Sequence, residues 1–400
     1  ACGTIAADAV CEADCSTAEL PIDFVGTSNG AVGQTQLALT FAAGTGQLDQ
    51  ALRAAWQTNA TPTSDIGIRY LKNDLFPIDT PPQLATPHRL NLDCDGTDTP
   101  IQNGQRLPAI APLSGGFIAA FVSNFTAPLR DDIQAVVLPA AGCTTAAPPL
   151  NISDTTTGTE PAVNVDVAAA GVGAVLVVWE SAGQILGRTV TSMDPNPPVL
   201  GPITTIASGR TPRVAGFAGG WFVVYQGADA GDDDGVFVRK VSTSMVVDPA
   251  ALVNVQTSGA QDQPDVAVLA DGRFAVAWRS GGQVFFQRHA LDGSKIAGDQ
   301  DAPLQVTAGT EQGAPAIAGS AEFYAIAWEH GAEIRGRLLG ANDGFLFNAI
   351  TGQNDDFPVT RGTVSPRKPA VAIGNYIVFG WEDTSGAAPG MYVRRFPYPS

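Results

Sequence analysis

The sequence predicts an all-β protein built from a repeated unit of four short strands. A motif with a proline at its head returns six times, as in "QPDVAVLADGRFAVAW" (residues 263 to 278). Successive head prolines are 53, 51, 52, 51 and 54 residues apart, which is a regular period. Short runs of apolar and small residues bounded by Gly, Asn and Asp turns are typical of β-strands. The head prolines are Pro108, Pro161, Pro212, Pro264, Pro315 and Pro369.

The repeated unit has a recognisable residue at the end of each long strand. The second strand ends in an aromatic residue, whose bulk suits the widening space between neighbouring sheets. The third strand usually ends in arginine, for which pairing with a carboxylate or a backbone carbonyl is the expected role. A short fourth strand follows, for example "PLNIS" or "PLQVT". The aromatic residues expected in the core are Trp56, Trp179, Tyr225, Trp278, Trp328 and Trp381.

Four short strands repeated about every 50 residues are the pattern of β-propeller blades. A weaker copy at residues 35 to 57 brings the number of units to seven. The last unit lacks a fourth strand, whereas "LPIDFVG" near the N-terminus has the pattern of an isolated one. Pairing residues 21 to 25 with residues 391 to 396 would remove the open sheet edge. We therefore predict a seven-bladed β-propeller of four-stranded antiparallel blades, closed by N- and C-terminal strands.

The predicted domain organisation is one propeller with a short extension before it. Residues 1 to 20 form a cysteine-containing extension, and residues 20 to 400 form the propeller. The blades are expected at residues 35 to 104, 105 to 155, 158 to 207, 210 to 257, 262 to 308, 313 to 361, and 367 to 400 together with 20 to 26.

These repeats resemble those of seven-bladed β-propellers in large secreted or surface-attached bacterial proteins, over roughly residues 20 to 400. The resemblance implies an extracellular or cell-surface location. It implies little about activity, because propellers serve as enzymes, as lectins and as docking modules for other proteins.

Composition and charge restrict the classes of partner. The formal net charge of −17 would repel a phosphate backbone, so nucleic acid is not an expected partner. No run approaches the roughly 18 apolar residues of a membrane span. A surface rich in acidic residues, Thr, Gly and Ala suits a protein exported to the medium or the cell surface.

The five cysteines all lie in the first 143 residues, among turn-like sequence, which favours disulfides over free thiols. If "TPIQN" is the fourth strand of the first blade, Cys94 and Cys143 lie in matching loops of adjacent blades and can pair. If "HRLNLD" is that strand instead, this bridge fails. One pair is expected among Cys2, Cys11 and Cys15, with one cysteine left over.

Two acidic loops are candidate calcium sites, because clustered carboxylates supply the oxygen ligands that calcium prefers. The spacing of the first loop does not match an EF-hand loop, and the second, D-x-D-G-x-D, resembles calcium loops but is short of ligands. A solvated acidic turn is the alternative reading. The loop "GADAGDDDG" contributes Asp229, Asp232 and Asp234, and the loop "DCDGTD" contributes Asp93, Asp95 and Asp98.

The sequence shows no catalytic motif. Glutamates follow the strand-two aromatic in three units, and paired carboxylates are what glycoside hydrolysis requires. Duplication of a repeat also explains such equivalent positions, and the sequence contains no S-x-D-x-G-x-x-W, H-x-x-x-H or C-x-x-C motif. We therefore predict no catalytic residue. The glutamates are Glu180, Glu329 and Glu382.

The sequence thus predicts a non-catalytic propeller that is not an enzyme. It would act as a protein interaction module or a building block of a larger assembly, with other protein subunits as partners. The strand-two-to-three loops differ greatly in length, which suits a large partner. The alternative is a carbohydrate-binding or carbohydrate-active propeller resembling glycoside hydrolases. An enzyme of that kind should show two unlike carboxylates in one cleft.

Overall fold

The computed structural model describes the strands and many of the turns between them. No helix long and apolar enough to span a membrane occurs among these residues. The described residues are 19–21, 34–41, 52–58, 64–71, 88–89, 104–113, 116–126, 130–139, 149–153, 160–171, 173–193, 196–229, 232–296, 302–303, 312–341, 356–360, 365–383 and 390–396.

In this part of the chain, twenty-nine strands form seven antiparallel sheets, here called blades 1 to 7. Blade 1 contains β2 (Gln34–Phe41), β3 (Leu52–Thr58), β4 (Asp65–Leu71) and β5 (His88–Arg89). Blade 2 contains β6 (Gln105–Leu113), β7 (Gly116–Thr126), β8 (Arg130–Pro139) and β9 (Leu150–Asn151). Blade 3 contains β10 (Ala162–Ala170), β11 (Ala174–Ser181), β12 (Gln184–Met193), β13 (Asn196–Leu200) and β14 (Thr204–Ser208).

The remaining blades repeat the same meander. Blade 4 contains β15 (Arg210–Phe217), β16 (Gly220–Asp229), β17 (Asp232–Ser242) and β18 (Ala251–Leu252). Blade 5 contains β19 (Gln261–Val268), β20 (Phe274–Ser280), β21 (Gln283–His289) and β22 (Ala302–Pro303). Blade 6 contains β23 (Gln312–Gly319), β24 (Phe323–His330), β25 (Glu333–Gly340) and β26 (Phe357–Pro358). Blade 7 contains β27 (Pro366–Ile373), β28 (Ile377–Asp383), β29 (Gly390–Phe396) and β1 (Glu19–Pro21).

The first strands of the blades form a ring. Each contacts the first strand of the next blade, and β27 of blade 7 contacts β2 of blade 1. The predicted seven-bladed propeller of four-stranded antiparallel blades is confirmed. In blade 7, β1 pairs antiparallel with β29, with Glu19 opposite Arg394. The strand expected at residues 20 to 26 begins one residue earlier, and residues 22 to 26 lie outside the described part of the chain.

Core packing follows the repeat. All six of the repeated aromatic residues are buried between blades. Arginines of the third strands donate to backbone carbonyls of a neighbouring blade, as expected from their position. Arg288 Nη1 lies 2.7 Å from Gly340 O, and Arg394 Nη1 lies 2.8 Å from Val359 O. These bonds tie the blades together.

Every first strand contains a β-bulge near its start, as the register shifts show. Most head prolines occupy the second residue of the bulge, where the missing N–H costs no ladder bond. Pro161 differs, because it precedes β10 and Val165 holds the equivalent position. The head prolines are evenly spaced in the sequence, but the proline of blade 3 does not occupy the same structural position as most of the others. Among described strands, the first bulge residue has a positive φ at Gln36, Leu107, Asn164, Thr211, Gln263 and Lys368.

The repeated glutamates hold these bulges to the preceding blade. Glu180 Oε2 accepts a hydrogen bond from Thr211 N at 3.0 Å, and Glu329 Oε1 accepts one from Lys368 N at 2.8 Å. Glu382 Oε2 accepts from Gln36 N at 3.1 Å, which joins blade 7 to blade 1. The glutamates thus form hydrogen bonds that connect adjacent blades.

Glu382→Ala is expected to lower the free energy of unfolding by about 1–3 kcal/mol, because it leaves the N–H of Gln36 without its acceptor. Glu382→Gln keeps an acceptor oxygen and should lose less. Chemical denaturation followed by tryptophan fluorescence measures the difference. The matched control is Glu322→Ala, whose side chain is exposed. Equal midpoints for Glu382→Ala and the control would contradict this role.

Candidate active site

Three charged side chains occupy one equivalent position around the propeller axis. This position lies on the first strand of each blade, after the bulge. It pairs with the residue that precedes the repeated aromatic residue of the second strand. It holds Asp166 in blade 3, Arg213 in blade 4 and Asp265 in blade 5. We call these seven equivalent positions the axial ring. Its other members are Ala38, Ala109, Ala316 and Ala370.

Each axial carboxylate bridges two first strands. Asp166 Oδ2 accepts from Val214 N in blade 4 at 2.8 Å. Asp265 Oδ2 accepts from Ile317 N in blade 6 at 2.8 Å, and its Oδ1 accepts from Val266 N at 2.9 Å. Backbone N–H groups on the inner edge of a sheet have no partner strand, so the carboxylates cap them. These bonds fix the orientation of both carboxyl groups.

Burial raises the pKa of both axial carboxyl groups. Burial raises the pKa of Asp265 to about 7, and the negative charge of Asp166 adds to the rise. Burial also raises the pKa of Asp166, with Arg213 opposing the shift. Asp265 therefore still carries a proton at mildly acidic pH, where an exposed aspartate is ionised. Two carboxyl groups whose pKa values lie above the ordinary range can take part in proton transfer.

The positive-φ bulge residues lie next to the axial ring, nearer the start of each first strand. This conformation is strained for residues other than glycine, and the hydrogen bonds from the preceding blade maintain it. Asn164, Thr211, Gln263 and Lys368 bring polar side chains to this rim. Asn164 Nδ2 donates to Glu180 Oε2 at 2.8 Å, so part of the rim is fixed.

The acidic loop of blade 4 is largely satisfied by protein donors. Asp232 is buried and accepts from Asn254 Nδ2 at 2.7 Å, and Asp234 accepts from Arg210 Nη2 at 2.8 Å. The side chain of Asp229 is not described. Within the described residues, no group of three or more His, Cys, Asp or Glu side chains could hold a metal ion. A calcium site at this loop stays a prediction.

The other predicted sites lie outside the described residues. They are the second acidic loop with Asp93, Asp95 and Asp98, and the cysteines Cys2, Cys11, Cys15, Cys94 and Cys143.

Sequence reasoning missed the axial ring. It sought carboxylates in the loops, whereas Asp166 and Asp265 lie on first strands that are otherwise rich in Ala and Val. The available signal was a charged residue at one repeat position, in "NVDVA", "PRVAG" and "PDVAV". A charged residue in an inner strand costs free energy unless it is paired or hydrogen-bonded, so its presence indicates a role other than packing.

Solved structures with the same architecture include carbohydrate-cleaving enzymes. A mutant of the α-L-arabinofuranosidase Arb93A from Fusarium graminearum, in complex with an iminosugar inhibitor, has a TM-score of 0.50 and 10% identity, covering 96% of this chain and 97% of that one. A Hadza microbial sialidase has a TM-score of 0.48 and 8% identity, covering 95% and 68%. No protein-family model and no curated protein matches the sequence. The likeness shows the fold alone.

The comparison corrects two sequence predictions, the non-catalytic interaction module and the absence of enzyme activity. The propeller matched over nearly its whole length is a glycoside-cleaving enzyme, which favours the carbohydrate-active alternative. The physical reason for the error is the location of the carboxylates. They lie on the axis and not in the uneven loops from which a docking surface was inferred.

Proposed function

We propose that this chain is a carbohydrate-active propeller of the glycoside hydrolase kind, with Asp166 and Asp265 as its reacting carboxyl groups. The observation that carries the proposal is the pair of carboxyl groups at equivalent positions of the axial ring, each held by a backbone N–H of the next first strand. Two carboxyl groups with different protonation states are what glycosidic cleavage requires. The fold shared with an α-L-arabinofuranosidase is consistent with this reading.

The geometry suggests a role for each group. Asp265, protonated near neutral pH, would donate its proton to the glycosidic oxygen as the bond from that oxygen to the anomeric carbon breaks. Asp166, which must be ionised for its role, would act on the opposite side, either by taking a proton from the attacking water or by bonding to the anomeric carbon itself. The anomeric configuration of the product distinguishes these two courses.

The same proposal includes an exported protein, because polymeric carbohydrate substrates lie outside the cell. The acidic composition supports export. The bridge between Cys94 and Cys143 and the pair among Cys2, Cys11 and Cys15 belong to this proposal, since an oxidising location allows disulfides.

Calorimetric binding and hydrolysis assays test the proposed function. The probes are arabinobiose, a neutral sugar, and sialyllactose, an anionic one, each with purified full-length protein. We expect binding and slow release of monosaccharide from one probe, and loss of release in the double variant with Asp166→Asn and Asp265→Asn. Asp292→Asn, which changes an exposed turn carboxylate, is the matched control. If neither these probes nor a panel of aryl glycosides is bound or cleaved, the proposal fails.

A further inference from the structure

Arg213 is the basic member of the axial ring, and most of its hydrogen-bond donors have no acceptor in the protein. Its Nη1 donates to Pro212 O at 2.9 Å, the carbonyl of the residue before it. Within the part of the chain that the structure describes, Arg213 forms no other hydrogen bond and no ion pair. A guanidinium group has five N–H donors in a planar fork, so the edge formed by Nε and Nη2 is available to a ligand.

The two axial carboxylates do not neutralise Arg213 by direct contact. Each of them accepts a hydrogen bond from a backbone N–H of the next first strand. All three side chains are described, and no ion pair joins Arg213 to Asp166 or Asp265. Its charge nevertheless acts on both carboxyl groups, so the guanidinium group lies within electrostatic range of each. A ligand bound to Arg213 would therefore lie close to both proposed reacting groups.

The axial ring leaves these side chains partly accessible. The three charged members are half-buried, so each keeps part of its surface open to a ligand. The other four members are alanines, whose short apolar side chains offer no polar contact. Polar recognition at the ring therefore depends on the charged members, and Arg213 supplies their positive charge.

The basic residue at the neighbouring rim is already paired. The Nζ atom of Lys368 lies 3.3 Å from Oε1 of Glu382, which is buried. The backbone N–H of Lys368 donates to Glu329. Of these two described cations, Arg213 is thus the one that has no carboxylate partner.

We propose that Arg213 binds a carboxylate group on the substrate and so selects an acidic sugar, either a uronic acid or a sialic acid. The inference rests on the proposed function and adds the class of substrate to it. A planar guanidinium group matches a carboxylate through two parallel N–H···O bonds. The positive charge also offsets the repulsion that an anionic ligand meets beside two carboxyl groups. A neutral sugar supplies no such partner, so it should bind more weakly.

The substrate side of this inference is tested by binding calorimetry with the full wild-type chain. Sialyllactose is compared with lactose, and digalacturonate with its dimethyl ester, so that each acidic probe has a neutral counterpart. One acidic probe should bind about 10-fold or more tightly than its counterpart, because only the acid offers Arg213 a charged acceptor. The probe that binds identifies the kind of acid. Equal affinities within both pairs overturn the inference.

Variants of Arg213 test the protein side. Arg213→Met should weaken binding of the acidic probe by about 30-fold or more, as truncation of one partner of a buried, hydrogen-bonded charge pair does. Arg213→Lys keeps the charge but loses the planar fork, so its affinity should be intermediate. Arg279→Met removes an arginine that binds Asp262 and is the matched control. Wild-type affinity in Arg213→Met overturns the inference, and Arg213→Gln replaces that variant if it does not fold.

The outcomes separate this inference from the proposed function. Binding of an acidic glycan that depends on Arg213, without release of sugar, supports the inference while the hydrolytic function fails. Cleavage of arabinobiose without binding of either acidic probe supports the function and overturns the inference. A wild-type protein that binds none of the four calorimetric probes also overturns it.

Discussion

Asp265→Asn is expected to lower the rate of glycosidic cleavage by about 10²–10⁴-fold, the usual contribution of a general acid. The amide has no proton to give to the leaving oxygen. Its one oxygen can still accept from Ile317 N, as the carboxylate does at 2.8 Å, so the first strands of blades 5 and 6 stay joined, but the amide nitrogen cannot replace the oxygen that accepts from Val266 N. The loss of activity should therefore appear in kcat, together with a modest fall in the thermal unfolding temperature from the lost bond of Val266 N.

The proposed roles of the two carboxyl groups predict how activity changes with pH. A general acid must be protonated, so wild-type activity should fall as the pH rises through about 7, the pKa of Asp265. Asp265→Asn should lose this alkaline limb, because the titrating group is gone. Asp166→Asn should lose the acidic limb instead, since the role proposed for Asp166 requires its ionised form, and burial, which raises its pKa, moves that limb to higher pH. Values of kcat/KM between pH 4 and pH 9 check both statements, since this ratio reports the pKa values of the free protein.

Leaving-group chemistry distinguishes an acid from a residue that only supports the fold. Aryl glycosides with nitrophenyl leaving groups need little protonation, so Asp265→Asn should regain much of the wild-type rate on them. Asp166→Asn should stay slow on every substrate. The control Asp292→Asn should match wild type throughout. A deficit of Asp265→Asn that is equal for good and poor leaving groups would refute the acid role.

The architecture was predictable because each blade repeats the same pattern of short strands, tight turns and a buried aromatic residue. Trp278 and Trp328 occupy equivalent buried positions, and the short loops around Gly281 and Gly331 adopt the positive φ that a tight turn requires. Seven copies of such a pattern identify the fold even at low identity to any known structure. A repeat also supplies its own alignment, which fixes the strands to within a few residues.

The axial site was not predictable by the same reasoning, because function resides in the departures from the repeat. Comparing units draws attention to what they share, whereas Asp166, Arg213 and Asp265 replace alanines that the other blades share. The β-bulge is a second reason why the axial site could not be predicted. It shifts the register of each first strand, so simple alternation of side chains does not identify the residues that bond to the next blade.

Gly216→Ala is expected to be strongly destabilising, by about 3 kcal/mol or more. An added Cβ would overlap the backbone carbonyl oxygen of Ala169 in blade 3, and a backbone group cannot move aside by changing rotamer. The first strands β10 and β15 approach closely here, and Trp221 Nε1 donates to Ala168 O at 2.9 Å beside the contact. Overpacking of this kind typically costs about 1–3 kcal/mol, and more where the structure cannot relax.

Denaturant unfolding followed by tryptophan fluorescence measures this cost, since Trp221 lies at the affected seam. Gly104→Ala is the matched control, because its added Cβ would lie 3.4 Å from the nearest atom, Ser64 Oγ, which is ordinary contact. Gly319→Ala should behave like Gly216→Ala, since its Cβ would overlap Val268 O at the seam of blades 5 and 6. Both seams hold an axial carboxylate, so separating them should also weaken the sugar binding proposed above. Stability of Gly216→Ala equal to that of the control would show that the strands can separate freely, and would remove the rigid spacing on which the axial ring depends.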